Sequence, residues 1–349
     1  MRRLILPGLL LSGLLALTAF LVSLYRAWRL YMMAPAPGTT LIYHFSLYIP
    51  DNRDAFFDDV IRGAEQAAAE LDSAISIHSI DPARNELETA AYTGVDGLVV
   101  CPYLDDALAR RQLEKLKEHQ LPVVLINHNI PSARPWPFIG TNNFDMGRRI
   151  GLLLEESSGP VRLAVVYSDK APGIYAEREL VEMGISAALE QKLAGPIRRF
   201  RTNLNPLDAE TLLMNIFHSP GGRDYGGVTG NAGGGTGNGG DSGGGREPAG
   251  AADINAIVFT DSADTVAAAQ TLVDMNLVGR VQVIGFGEDP FIIDSIRKGI
   301  VSSSVVIDSE RIGYEAVKAL AALRTTGYTS TSVDTGIRVI TAGSLPGEQ

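Results

Sequence analysis

An α/β fold of two doubly wound, mostly parallel sheets, joined by a hinge, is what this sequence predicts. Three observations lead there. From residue 41 onward, short apolar runs rich in β-branched residues alternate with segments of helical period. The number of βα repeats is too large for one sheet of ordinary size. The length of 349 residues exceeds what a single hydrophobic core usually organises. A composition of 45% hydrophobic and 20% charged residues is globular and excludes an intrinsically disordered chain.

The first segment is of another kind. Residues 4–25, LILPGLLLSGLLALTAFLVSLY, form an uncharged run of 22 residues, long enough to span a bilayer as a helix. Arg2 and Arg3 precede it, and Arg26 and Arg29 follow. Ala34-Pro35-Ala36 imitates a signal-peptide cleavage site, but Pro37 follows directly and makes cleavage unfavourable. An uncleaved anchor is preferred to a cleaved signal, and positive-inside counting puts the body outside the cytoplasm. APAPGTT (34–40) reads as a short spacer.

The body begins with LIYHFSLYI, a strand, followed by a helix from Arg53 to Leu71. AISIHSI is a strand, Leu87–Tyr92 a short helix and VDGLVVC a buried strand. Asp105–His119 is a helix that opens on aspartates and precedes a proline, and LPVVLIN is the next strand. The second half repeats the pattern: helix Phe144–Glu155, strand VRLAVVYS, helix Tyr175–Leu193, strand IRRFRT and helix Leu207–Phe217. Then come INAIVFT, helix Thr265–Met275, VQVIGF, helix Pro290–Arg297, IVSSSVVI, helix Arg311–Leu323 and a last strand, GIRVIT. Such units build a parallel sheet covered on both faces.

The formal net charge is −10. The first forty residues carry four arginines and no other charged side chain, so the remainder stands at about −14. That surface repels phosphate backbones and excludes nucleic acid as the partner. The single cysteine, Cys101, permits no intrachain disulfide and no multi-cysteine cluster, and it reads as a buried strand residue. The five histidines lack metal-type spacing, so neither a metal nor another cofactor is expected.

Between Gly221 and Gly250 lie 15 of the 37 glycines. The segment lacks a G-K-[S/T] step, which excludes a Walker phosphate loop, and it reads as a flexible insertion over 220–252. It joins a helix to the following strand, and such connections lie at the edge of a parallel sheet opposite to ligands.

A series of short motifs then points to a family. They are Asp54-Ala55-Phe56-Phe57 with Arg62-Gly63-Ala64, Gly94-Val95-Asp96-Gly97-Leu98, and Leu121-Pro122-Val123-Val124 before a polar pair. Next come Thr141-Asn142-Asn143 through Gly147, and Val258-Phe259-Thr260-Asp261-Ser262. The last are Ile284-Gly285-Phe286-Gly287, and Gly299-Ile300 with Ile312-Gly313-Tyr314. Their order resembles the type I periplasmic binding proteins of the ribose- and galactose-binding group, over roughly residues 41–341. The resemblance implies an N-terminal lobe of 41–140 plus 308–335 and a C-terminal lobe of 141–307 plus 336–349, behind a signal-anchor and spacer of 1–40. The lobes would close on a small polar, sugar-like ligand. The repressor branch of that fold is disfavoured, because an apolar segment stands where a DNA-binding helix-turn-helix would be.

By the same resemblance, Phe56 and Phe57 would offer a face to sugar C–H groups, against the alternative of burial at a helix start. Asp54 takes a position where the family has Asn, and would accept hydroxyl protons or cap the helix. Tyr103 would line the rim. Asn127 and His128 replace an Asp-Arg pair, so a planar fork is lost there. Asn143 would orient the hinge or touch ligand, and Arg178 stands near a family arginine. Asp261 contacts ligand or caps a helix, Glu288 or Asp289 substitutes for a missing aspartate, and Asp308 lies near the last hinge strand. These carboxylates would favour hydroxyl-rich or cationic ligands over anionic ones.

Delivery of a sugar-like solute to an ABC permease is the first function this implies. A membrane-anchored sensor lobe reporting to a sensor kinase is the second. An enzyme is disfavoured: G-x-S-x-G and H-E-x-x-H are both absent, and a carboxylate pair acting on a glycoside is the only catalytic alternative. If the insertion sits away from the ligand edge, deletion of residues 221–250 leaves ligand affinity unchanged in titration calorimetry. A large loss would refute that placement.

Overall fold

The computed structural model describes residues 17–26, 28, 42–50, 55–80, 86–102, 105–156, 159–168, 174, 177–202, 207–218 and 254–345. Asp54, Tyr103, the spacer, the Gly-rich insertion and most of the apolar run 4–25 lie outside them. The chain divides into two units, Met1–Ile42 and Tyr43–Gln349. The first contributes a helical stretch over 17–26. Among the described residues no helix is long and apolar enough to cross a membrane.

The second unit holds two six-stranded sheets. The first contains β1 (His44–Pro50), β2 (Ala74–Ile80), β3 (Gly97–Val100), β4 (Val123–Ile126), β5 (Phe138–Gly140) and β11 (Ser332–Asp334), in the order β11-β5-β4-β3-β1-β2. The second contains β6 (Leu163–Ser168), β7 (Arg198–Thr202), β8 (Ala256–Phe259), β9 (Gln282–Phe286), β10 (Ser303–Ile307) and β12 (Ile337–Thr341), in the order β12-β10-β9-β8-β6-β7. Setting aside the two late strands, both sheets have the doubly wound order 2-1-3-4-5. All pairings are parallel except β10 with β12. Central strands such as GLVV, VVLI and AIVF are buried at every position, because helices cover both faces. Each sheet accordingly has two apolar clusters. Phe45, Leu47 and Val99 belong to one side of the first sheet, and Leu98, Val100 and Leu113 to the other.

The helices are α1 (Ala55–Glu70), α2 (Glu86–Ala90), α3 (Asp106–Glu118), α4 (Asn143–Glu155), α5 (Arg178–Leu189), α6 (Leu207–His218), α7 (Ser262–Asp274), α8 (Pro290–Arg297) and α9 (Ser309–Thr326). Two of them carry the chain between sheets. After β5 the chain enters α4, which packs on α5, the helix after the first strand of the second sheet. After β10 it returns through α9, which packs on α1, the helix after the first strand of the first sheet. A third passage runs from β11 directly to β12.

Both crossover helices meet their partners at paired glycines. A Cβ on Gly313 would overlap the Val60 carbonyl, and one on Gly63 the Glu310 carbonyl. In the other sheet, a Cβ on Gly147 would overlap the Val181 carbonyl and one on Gly184 the Phe144 carbonyl. Backbone therefore touches backbone at both crossings. The crossing of α9 with α1 is also bridged by Arg62, whose guanidinium holds Glu310 at 2.9 Å and Asp59 at 2.7 Å.

The structure differs from the sequence expectation at element ends. β5 and β11 are strands of three residues that the apolar pattern does not reveal, β5 following directly on Pro135-Trp136-Pro137. Helices α7 and α9 begin earlier than expected, at Ser262 and Ser309, since Asp261 and Asp308 act as their N-caps. Helix α5 begins later, at Arg178.

Gly313→Ala lowers the free energy of unfolding by about 3 kcal/mol in urea denaturation, since neither backbone can yield. Gly159→Ala, where a Cβ meets nothing within 4 Å, stays within about 0.5 kcal/mol. Equal effects at the two positions would contradict the packing argument.

Candidate functional site

Ligands of doubly wound sheets sit beyond the carboxyl ends of the strands. The residues that follow β1, β3, β4 and β5 in one lobe, and β6, β8, β9 and β10 in the other, are therefore the candidates. The candidate residues named from the sequence all follow these strands, but most have a structural task as well.

In the first lobe, Phe57 is 2% exposed and belongs to the core with Phe45, Leu47 and Val60, so its ring has no open face. Phe56 is partly buried and meets Phe57 edge-on, with centroids 5.1 Å apart. Of the two, Phe56 is the one with surface left to offer. Asn127 adopts φ 61°, a left-handed conformation that asparagine tolerates, and places its amide Nδ2 4.0 Å from Cys101 Sγ. Cys101 itself is buried.

His128 is 1% exposed. Its Nδ1 lies 3.3 Å from the Pro102 carbonyl oxygen and its Nε2 3.1 Å from Asp106 Oδ1, the latter close enough for an ion pair but not aligned as a hydrogen bond. Beside the ligand contact expected of it, His128 has a task inside the lobe: the ring ties the end of β4 to the start of α3.

In the second lobe, Asn143 is the first residue of α4 and donates from Nδ2 to Glu177 Oε2 at 2.8 Å. Glu177 is the residue before α5, so this bond joins the starts of two packed helices. Arg178 opens α5, and its carbonyl oxygen lies 3.4 Å from the Tyr167 hydroxyl oxygen. Asp261 Oδ1 accepts from Asp264 N at 3.0 Å, and Asp308 Oδ1 from Arg311 N at 3.1 Å. Glu288 is 53% exposed and paired with Arg338 at 2.7 Å. The carboxylates expected to make an acidic cleft are thus largely spoken for. Two cap helices, and one is neutralised.

A network that the sequence did not suggest braces the edge of the second sheet. Thr260 Oγ1 accepts from Ser168 N at 3.1 Å and donates to the Val166 carbonyl. Thr202 on β7 donates to Asp264, which is 1% exposed. Thr265 donates to the Asp261 carbonyl at 2.7 Å and accepts from Phe286 N at 3.0 Å. Four strands, β6 to β9, are fastened together where they end. The signal in the sequence was a threonine or serine at or just beyond the ends of three strands, at Ser168, Thr202 and Thr260.

Behind this edge Tyr167, Glu182 and Arg199 form one cluster. Arg199 grips Glu182 with two bonds of 2.7 and 2.6 Å, and the Tyr167 hydroxyl donates to the same carboxylate at 3.1 Å. Burial, then the adjacent Glu182 charge, push the Tyr167 phenol far above its ordinary value. Near the first crossover, the hydrogen bonds from Arg148 and Arg149 hold the Asp145 carboxyl below its ordinary value. Among the described residues no group of three His, Cys, Asp or Glu side chains could hold a metal ion.

Comparison with known proteins fits this geometry. A family model described as periplasmic binding protein domain matches residues 45–327. A glucose-galactose binding protein from Geobacillus stearothermophilus has a TM-score of 0.68 at 22% identity, covering 87% of this chain and 99% of its own. A Caulobacter myo-inositol binding protein bound to myo-inositol gives 0.67 at 19%, covering 89% and 96%. An ABC transporter solute binding protein from Burkholderia graminis, in complex with D-arabinose, gives 0.68 at 14%, covering 87% and 96%. At these identities the likeness is one of fold. No curated protein matches the chain.

The raised Tyr167 pKa has a consequence for stability. In the unfolded chain this phenol ionises near pH 10, whereas the folded protein retains its proton to higher pH. Its contribution is therefore complete below about pH 10 and is lost as the pH rises above it. Denaturation midpoints fall through this range in the parent protein, and less steeply in Tyr167→Phe. Identical slopes would contradict the assignment.

Proposed function

The chain belongs to the periplasmic binding protein domain family, and from that premise we propose that it captures a small polar solute, a sugar or polyol, between its two lobes and hands it to an ABC importer. The observation that carries this reading is the duplicated 2-1-3-4-5 sheet with three passages between the lobes. Two braced carboxyl edges on a common hinge make a ligand trap rather than a catalytic constellation. The ligands named for the similar structures, galactose or glucose, myo-inositol and arabinose, support this chemical class.

On this reading Phe56 supplies the apolar face and Asn127 an amide that donates and accepts. Asp54 and Tyr103 add polar contacts from the first lobe, and Arg178, Asp261 and Glu288 from the second. Capping uses one lone-pair direction of Asp261 and leaves the other carboxylate oxygen for a hydroxyl. The pairing of Glu288 with Arg338 tempers the local negative charge, which suits a neutral polyol better than a cation. Binding without turnover follows.

The apolar run 4–25 supports a body tethered outside the cytoplasm. A permanent tether is also what a sensor reporting to a kinase would need. Mapping the mature N-terminus separates the two: a chain beginning near Pro37 excludes the permanent tether, and one retaining residues 4–25 supports it.

A thermal-shift screen against sugars, polyols and amino compounds tests the ligand class. A ligand at a hundred times its Kd adds about 2.7 kcal/mol of stability. At least one neutral sugar or polyol raises the Tm, and its effect is reduced in Asn127→Ala. Stabilisation by cationic compounds alone would overturn the proposed class.

A further inference from the structure

Two of the three passages between the lobes are locked to each other, and the third is not bonded in the same way. Strand β11 pairs with β5 in parallel register as far as Asp334 opposite Gly140. The contacts continue beyond the strands. Thr335 donates its backbone N–H to the Gly140 carbonyl at 2.9 Å, and its hydroxyl reaches the same oxygen at 3.3 Å. Asp334 Oδ1 accepts from Asn142 N at 3.1 Å and from Gly336 N at 2.9 Å. A single carboxylate oxygen thus gathers one N–H from each passage.

What lies beyond these two N–H groups belongs to the second lobe. The side chain of Asn142 caps α4 through Asp145 N, and Asn143 is bonded to Glu177. Gly336 leads into β12, which pairs with β10. On the near side, β5 and β11 are part of the first sheet. The remaining passage, Ile307–Asp308–Ser309, is fastened differently. Asp308 caps its own helix, and Ser309 Oγ donates to Asp59 on α1 at 3.1 Å.

We propose that Asp334, with Thr335, is a positioning residue that makes the first and third passages bend as one pivot, so that the lobes rotate about a line through this clip and Asp308. The torsional freedom this requires is present where it is needed. Gly336 sits at φ 76°, a region that costs glycine little, and it adjoins the clip on the second-lobe side. A carboxylate acceptor can swing its lone pairs to follow two N–H groups while holding both. The clip restrains splaying of the two strands without opposing rotation about them.

This inference concerns the hinge and does not depend on the identity of the ligand. Its test uses ligand-free protein, so its failure is distinct from failure of the sugar reading. Spin labels at exposed Arg111 and Lys298, introduced as Arg111→Cys and Lys298→Cys in a Cys101→Ala background, report the distance between lobes by pulsed EPR. Asp334→Ala widens the distance distribution and speeds exchange of the Asn142 and Gly336 amides by about tenfold, as expected for losing a bond to a charged acceptor. Asp334→Asn keeps an acceptor oxygen and holds the parent width. Ser332→Ala, on the same strand, also leaves the width unchanged. An unaltered width in a folded Asp334→Ala protein overturns the proposal, as does equal broadening in Asp334→Asn. Should Asp334→Ala fail to fold, Thr335→Val removes the hydroxyl contact alone, and an unaltered width there counts against the clip.

Discussion

The contact of backbone with backbone at two glycine pairs is the constraint on which the rest of this molecule depends. Gly63 with Gly313 in one lobe, and Gly147 with Gly184 in the other, let each crossover helix lie against the first helix of its lobe without intervening side chains. Helix separation at such a crossing is set by main-chain van der Waals contact, which is stiff and short-ranged. The crossover helices therefore become rigid parts of their lobes from their first turns. In the proposed closure, bending would fall to a few residues between the sheets, and the carboxyl edges of the two sheets would keep their own geometry.

Rigid lobes suit the chemistry at their edges. The second lobe ends in a ladder of threonine, serine and aspartate groups that tie four strands together. Buried polar groups that hydrogen-bond one another favour a single arrangement, because breaking those bonds would leave donors and acceptors away from water. His128 does comparable work in the first lobe by bridging the ends of two strand–helix units. The side chains left for a ligand are thereby held on fixed backbones, which lowers the ordering cost of binding.

Much of the fold was legible because parallel strands buried on both faces must be apolar throughout. Runs such as GLVV and AIVF can hardly be anything else between amphipathic helices. β5 and β11 were not legible, because three residues carry no period and their pairing is decided by strands distant in sequence. Gly63, Gly147 and Gly313 stood in visible motifs and Gly184 did not, and the purpose of all four depends on which helix lies opposite. At the site, Asp261 could serve as cap or contact, since one residue type at that position suits both, and the capping role of Asp308 was not foreseen. That Pro102 and Asp106 lie against His128 is not visible in the sequence. The Thr202–Asp264 bond joins residues 62 apart, beyond any local pattern.

The central claim is that two rigid lobes close on a small polar solute. Small-angle X-ray scattering of the protein with and without each sugar or polyol that stabilises it tests this most directly. The account predicts a smaller radius of gyration on addition of a stabilising compound, returning to the starting value when it is dialysed away. A compound that binds tightly and leaves the radius unchanged would contradict it.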